Sequence, residues 1–373
     1  MTITSAGRLT RAEIDLSAIE RNVAAFKSLL RPGASLCAVV KADGYGHGAE
    51  AAARAALKAG ADRLAVAIAD EALSLRAAGF TEDLLILGHT PPWQARLVAE
   101  NNLIQTIFNL EQAEALAQAA EAAGRRVRAH LKIDTGMGRL GVSPGEAADF
   151  AVNVGRHPGL VTEGVFTHFA QADSSDKTHA RRQFAAFRGA LDSIAGRGLS
   201  IPIKHCANSA ATLDLPETHL DMVRVGISLY GLWPSPETSR PIELVPAMRL
   251  KTAIAQLKRV PAGMALSYGG THVTTAETDL ATLPVGYADG FPRRLSNRGQ
   301  VLVGGRRAPI VGRVCMDQCL VDVTGLPSPA EGDEVLLFGG PELPAEEVAG
   351  LLGTINYELV CLVGKRVPRV YMG

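Results

Sequence analysis

The sequence has no net charge: 38 Lys and Arg residues balance 38 Asp and Glu. No Lys/Arg-rich run gathers positive charge locally, so nothing in it draws a phosphate backbone or an anionic lipid surface, and neither nucleic acid nor membrane is an expected partner. No uninterrupted apolar run approaches the ~18 residues of a spanning helix. The opening stretch MTITSAGRLTRAEIDLSAIE also lacks the apolar core of a signal peptide, which points to the cytoplasm. Cysteine is sparse and odd in number (Cys37, Cys206, Cys315, Cys319, Cys361). It never takes the Cys-x-x-Cys spacing, so neither a disulfide framework nor a metal site is expected. Buried thiols in a reducing compartment fit that usage. No internal repeat or low-complexity tract is found.

What is present is ordinary for a soluble enzyme, 47% apolar and 20% charged residues. With 373 residues the chain exceeds what one hydrophobic core supports, so two domains are expected. Ser17-Ala18-Ile19-Glu20 reads as a capping box opening an amphipathic helix, which Leu29 and Leu30 bring to Pro32-Gly33. Apolar runs then recur near Leu36, Leu64, Leu84, Ile104, Val127, Val161, Ile201 and Met222. Ala-rich helical stretches such as Leu110 to Ala123, closed by Gly124, separate them. Eight continuous apolar strands alternating with helices predict the α/β class, a (β/α)8 TIM-type barrel over residues 1–240. From Pro241 onward Val, Thr and Gly/Pro turns dominate, predicting a β-rich C-terminal domain over 241–373. One helix, Ala345 to Leu352, interrupts it, and the strand-like Arg8 to Ile14 fits either domain.

A barrel presents its chemistry at the C-terminal ends of its strands, where Lys41, Lys132, His168, Asn208 and Arg224 fall. Taken alone, Lys41 reads as a solvated lysine entering a loop. The apolar run Leu36 to Val40 before it favours a desolvated amine of lowered pKa, able to form a Schiff base. Gly44-Tyr45-Gly46-His47-Gly48 is spaced G-x-G-x-G, so it is not the dinucleotide fingerprint G-x-G-x-x-G.

AVVKADGYGHGA, from Ala38, resembles the pyridoxal-phosphate signature of the alanine racemase family. The resemblance extends along nearly the whole chain: HLKIDTGMGRLG from His130, GVFTHFAQAD from Gly164, HCANSA from His205, MVRVGISLYG from Met222, LSYGGTH from Leu266, LPVGYADGFPRRL from Leu283, VGRVCMDQC from Val311 and TINYELV from Thr354. The barrel helices and Leu326 to Leu352 add nothing to it. Val363-Gly364-Lys365, before Arg366-Val367-Pro368-Arg369, is looser than the family pattern.

The resemblance implies that Lys41 carries pyridoxal 5'-phosphate. It also implies that Tyr268 is the second of two bases, which remove and return a Cα proton on opposite faces of alanine. Tyr268 would reach the site of the partner subunit in a head-to-tail homodimer. Without the motif, a tyrosine in a Gly-flanked turn reads as packing. Arg139 matches the arginine that stabilises the phenolate and sits with substrate. Arg224 matches the residue that donates to the pyridine nitrogen and keeps it neutral, which weakens the electron sink and favours racemisation over transamination. His168 would orient Arg224, although a strand-end histidine alone reads equally well as structural. Tyr45, Ser209, Gly226, Ile227 and Tyr357 match a phosphate cradle, and Asn208 lies beside it. Lys132 matches a lysine that is carbamylated in this family and would hold Arg139, with a simple salt bridge as the alternative. Asp173, Tyr287, Arg293 and Arg313 match residues of the substrate entrance, and Met316 and Asp317 flank the substrate carboxylate. Cys315 and Cys206, beside Met316 and Asn208, read as core.

Three alternatives are set against an alanine racemase supplying D-alanine for peptidoglycan. A basic amino-acid decarboxylase of the same architecture would place a carboxylate, not Arg224, at the pyridine nitrogen. A non-catalytic pyridoxal-phosphate carrier would lack the β-rich domain and Tyr268. A racemase of broader or serine specificity stays open.

Overall fold

The structure, a computed structural model, describes residues 7–373. The first six residues, part of the stretch read as lacking an apolar leader, lie outside it. After strand β1 (Arg11–Asp15), eight parallel strands form one sheet. They are β2 (Ser35–Val39), β3 (Arg63–Val66), β4 (Leu84–Ile86), β5 (Ile104–Ile107), β6 (Val127–Lys132), β7 (Leu160–Phe166), β8 (Ile203–His205) and β9 (Met222–Val225). The spatial order β8-β7-β6-β5-β4-β3-β2-β9 brings β8 and β9 to the two edges. Two main-chain bonds join those edges, Asp221 N to Lys204 O at 3.1 Å and Arg224 N to Ala207 O at 3.0 Å. The expected (β/α)8 barrel is therefore present. Leu36, Leu64, Ala65, Leu84, Ile104, Ala129 and Val223 are fully buried, because helices cover the outer face of strands whose inner face is already packed. Each large aliphatic side chain so buried contributes about 1.5–3 kcal/mol.

The N-terminal helix, Leu16–Leu29, opens two residues before the expected capping box. Asp15 Oδ1 accepts from Ala18 N at 3.0 Å and from Ser17 Oγ at 2.6 Å, so Asp15 is the capping residue. Glu20 instead pairs with Lys58 at 2.7 Å. The helix Leu110–Ala122 follows its sequence signals: Asn109 caps it through Gln112 N at 2.8 Å, and Gly124 leaves it at φ 62°.

The remaining strands are β10 (Met248–Ala253), β11 (Gln256–Val260), β12 (Ala265–Leu266), β13 (His272–Val273), β14 (Thr278–Leu283), β15 (Gln300–Val303), β16 (Arg306–Val311), β17 (Cys319–Asp322), β18 (Glu334–Phe338) and β19 (Arg369–Met372). They form a nine-stranded sheet with β1, in the order β11-β14-β17-β16-β15-β18-β10-β1-β19, and a separate hairpin of β12 and β13. Val260, Leu266, Leu280 and Val311 build a core cluster against Leu320. The helix Ala345–Leu352 stands where the sequence puts it, and a second one, Asn356–Leu362, follows it within the TINYELV motif.

The chain divides into two compact units. One is Ile19–Gly44 with Ala49–Val245. The other is Pro246–Gly373 with Tyr45–Gly48 and the described residues before Ile19. The N-terminal strand belongs to the β-rich unit because β1 pairs antiparallel with β10 and parallel with β19. Among the five cysteines Cys37, Cys206 and Cys319 are buried as expected. Cys315 is half-buried and Cys361 exposed, which corrects the reading of all five as buried.

Candidate active site

Apolar β2 ends at Val39, and the main chain then turns left-handed. Ala42, Asp43 and Tyr45 all have φ 52° and Gly44 has φ 61°. Such backbone costs about 1–2 kcal/mol per non-glycine residue, and it is held by specific bonds. Gly44 N donates to Val40 O at 2.9 Å, Ala42 N to Glu71 Oε1 at 2.6 Å, and Ala49 N to Asp43 Oδ1 at 2.8 Å. Lys41 is thus delivered half-buried at the strand end by strained, over-determined backbone, the condition under which strain marks a functional position.

Across the same barrel end Arg224, on β9, is almost fully buried. Its Nη1 donates to His205 Nδ1 at 2.7 Å. Its Nη2 is shared among Thr167 O at 3.0 Å, His168 Nδ1 at 3.1 Å and Cys206 O at 3.3 Å. Nε–H and the second Nη1–H are left without a hydrogen-bond acceptor among the described residues, so this buried cation keeps unused donors. Burial lowers the Arg224 pKa to about 10, so it stays charged. Burial, then the charge of Arg224, with Lys132, Arg139 and Lys41 adding to it, holds His168 well below the usual histidine range. His168 is therefore a neutral acceptor.

Lys132, at the end of β6, is buried over the Phe166 ring, 4.9 Å from Nζ to the centroid, and donates to Ile133 O at 3.3 Å. Burial, then Arg224, lowers its pKa to about 7. Arg139 is exposed on the following loop, which Asp134 Oδ1 organises by accepting from Gly136, Met137 and Gly138 N–H at 3.0, 2.9 and 3.1 Å. Asn208 caps the helix Ser209–Asp214 through Ala211 N at 3.0 Å. Ser209 Oγ accepts from Gly226 N at 3.0 Å, which leaves the Ser209 O–H free to donate. Ile227 opens the 3-10 turn Ile227–Tyr230. Asp173 is exposed, and its carbonyl accepts from Ser235 Oγ at 2.5 Å.

The β-rich unit carries the other expected residues. Tyr268 stands 71% exposed at the tip of the β12–β13 hairpin. It follows Ser267, whose φ of 60° is anchored by its Oγ donating to Arg313 O at 2.8 Å. Tyr287 N and Ala288 N donate to Cys315 O and Met316 O, both at 3.0 Å, so the Gly286 turn seats the Met316 loop. Any Cβ on Gly286 would stand 2.3 Å from both carbonyl oxygens. Asp317 accepts from Arg366 Nη2 at 2.8 Å, and Arg366 also pairs with the buried Asp289 at 3.3 Å, as does Arg8 at 2.6 Å. Tyr45 and Tyr357 face each other, ring centroids 6.3 Å apart. Arg293 is exposed in the turn Arg293–Leu295.

Sequence reasoning missed His130, His205 and Glu163 as site residues. His205 Nε2 meets His130 Nδ1 at 2.8 Å, and His130 Nε2 meets Glu163 Oε2 at 3.2 Å. A period-two reading of VRAHLK puts His130 on the face of Lys132, so that signal was available. Glu163 was not legible. The β6–β7 register jumps from Ala129↔Thr162 to His130↔Gly164, leaving Glu163 as the extra residue of a bulge, which re-aims its side chain.

Two family models cover this chain, the alanine racemase N-terminal domain over residues 14–234 and the C-terminal domain over 247–371. The chain belongs to the alanine racemase family. It is 56% identical over 361 residues to the alanine racemase of Desulfovibrio desulfuricans, covering 97% of each chain. The solved alanine racemase of Clostridium difficile 630 superposes with TM-score 0.96 at 40% identity, over 99% of this chain and 97% of that one. A structure of that racemase in complex with cycloserine gives TM-score 0.93 at 39% identity, over 100% of this chain and 96% of that one. No helix among the described residues is long and apolar enough to cross a membrane.

Proposed function

We propose that this chain interconverts L- and D-alanine with pyridoxal 5'-phosphate, Lys41 and Tyr268 serving as the two bases. The observation that carries the reading is the strained turn that delivers Lys41 to the barrel end shared with Arg224, within a chain of this family. The residues fit the cofactor. A strand-end amine stands ready for its aldehyde, the unused Nε–H of Arg224 suits a neutral ring nitrogen, and the Ser209 hydroxyl with the turn at Gly226 and Ile227 suits an anion. Asn208 fixes the helix start beside Ser209. When bound, the cofactor acidifies the substrate Cα–H by accepting its electron pair.

The chain's own residues do the rest. Lys41 Nζ takes or returns the Cα proton on one face, and the Tyr268 hydroxyl does so on the other. A Tyr268 that is 71% exposed on its own chain supports its serving a second copy in a head-to-tail homodimer. Arg139 stabilises the phenolate, with Lys132 behind it as a carbamate, a role its pKa of about 7 supports, because only a neutral amine captures carbon dioxide. Arg224, oriented by His168, keeps the ring nitrogen unprotonated. Met316 and Asp317 hold the substrate carboxylate end, and Asp173, Tyr287, Arg293 and Arg313 line its approach. The product supplies peptidoglycan synthesis from the cytoplasm, a placement that five cysteines joined in no disulfide support.

The test is the optical rotation of L-alanine incubated with purified protein and pyridoxal phosphate while total alanine is followed. Decay to zero rotation with alanine conserved is expected; unchanged rotation with cofactor bound would overturn the reading.

A further inference from the structure

Arg224 is a buried cation, and among the described residues no carboxylate lies within ion-pair distance of it. A buried charge without compensation is strongly destabilising. The compensation runs instead through two imidazoles: Arg224 Nη1 to His205 Nδ1 at 2.7 Å, His205 Nε2 to His130 Nδ1 at 2.8 Å, and His130 Nε2 to Glu163 Oε2 at 3.2 Å.

The proton positions along this chain follow from its ends. A guanidinium only donates and a carboxylate only accepts. His205 Nδ1 must therefore accept, so its Nε2 carries the proton and donates. His130 Nδ1 must then accept, and its Nε2–H donates to Glu163. Protonating either ring would leave two N–H groups facing each other, so both imidazoles are neutral. Their complete burial acts in the same direction, lowering both pKa values. The surroundings hold this one arrangement. Phe166 stacks on His205 with centroids 4.6 Å apart and planes 5° from parallel. Arg63 reaches both Glu163 oxygens at 3.1 Å, and Arg128 reaches one at 3.5 Å.

We propose that Glu163 is the remote counter-ion and positioning residue of Arg224, acting through neutral His205 and His130, so that the guanidinium keeps its charge and its unused Nε–H in a fixed place. The proposal rests on the reading of Arg224 as donor to the cofactor's ring nitrogen. No proton moves along the chain during reaction; its work is to hold one donor still and charged.

Two arms test it. In the first, imidazole nitrogen NMR on the cofactor-free protein reads the tautomers directly. Protons on Nε2 of both His130 and His205 are expected, and a proton on Nδ1 of either overturns the relay whatever the enzyme catalyses. In the second, Glu163→Gln keeps an acceptor but removes the charge, and His130→Gln interrupts the chain while leaving Glu163 with Arg63 and Arg128. Each is expected to lower kcat for alanine about ten-fold with KM within about two-fold, and the double variant to cost no more than the worse single. Additive losses, or an unchanged kcat with only a lowered melting temperature, would make Glu163 a structural partner of Arg63 and Arg128 and sink the proposal. A wild-type protein that racemises nothing would remove the proposed reaction, and the tautomer arm would still decide the relay.

Discussion

A Cβ on Gly164 would stand 2.5 Å from His130 Nδ1, so the seat of this histidine exists only because residue 164 has no side chain. The two residues are paired across β6 and β7 at the point where the register shifts. Gly164→Ala is expected to destabilise the protein by about 1–3 kcal/mol through overpacking. Urea unfolding measures it, and adding His130→Ala should restore part of the loss. A midpoint shift worth less than about 0.5 kcal/mol would show that the barrel yields at this contact.

Lys41→Ala is expected to abolish retention of pyridoxal phosphate after dialysis, together with the visible absorption of the lysine-bound cofactor. Spectra before and after dialysis decide it. A variant that keeps the band would move the attachment point elsewhere.

Removing only the Tyr268 hydroxyl separates the two bases. In Tyr268→Phe, solvent deuterium incorporation starting from L-alanine should fall by at least about 100-fold, the lower range for loss of a general base, and much less starting from D-alanine. Equal losses from the two enantiomers would argue against distinct faces.

Lys132 makes stability depend on pH. Its folded pKa is about 7 against 10.5 for an unperturbed lysine, so between those values the unfolded chain binds more protons and stability rises with pH. The gain fades as pH falls toward 7. Lys132→Met, compared with wild type in bicarbonate-free buffer, should flatten that slope in denaturant titrations. Added labelled bicarbonate should give wild type a carbamate carbon signal that the variant lacks. An unchanged slope would mean that Lys132 is as solvated when folded as when unfolded.

Asp289 is buried between Arg8 and Arg366, at 2.6 and 3.3 Å. Asp289→Asn removes the buried carboxylate from between two part-exposed arginines, of which Arg366 keeps Asp317, and should lower the urea midpoint measurably. Because Arg366 also holds Asp317, KM for alanine should rise more than kcat falls. A loss in stability with both kinetic constants intact would make the cluster a fastening alone.

The barrel was legible because its strands are buried on both faces and appear as unbroken apolar runs, each ending where a polar residue such as Lys41 or Arg224 begins. Lys41 stood out for the same reason. Less legible were features set by partners distant in sequence. Arg8 to Ile14 looks like a strand in any context, and only its pairing with β10 and β19 assigns it to the β-rich unit. The capping signal at Ser17 to Glu20 competes with Asp15 two residues earlier, and nothing local ranks two oxygen-bearing caps so close together. Glu163 looks like a surface residue of β7 until the bulge turns it toward His130.

The polypeptide passes between its two compact units four times, at 18/19, 44/45, 48/49 and 245/246. Residues 45–48 are made early in synthesis, yet their contacts wait for the end of the chain. Gly46 lies against Val360 O, where a Cβ would stand 2.3 Å away, and its own carbonyl accepts from Arg369 Nε at 3.0 Å. A ribosome that has released the barrel strands has not yet released the partners of the segment that follows Lys41. Residues 45–48 therefore gain these partners last, and a chain ending before Val360 loses both of them while every barrel strand is still encoded.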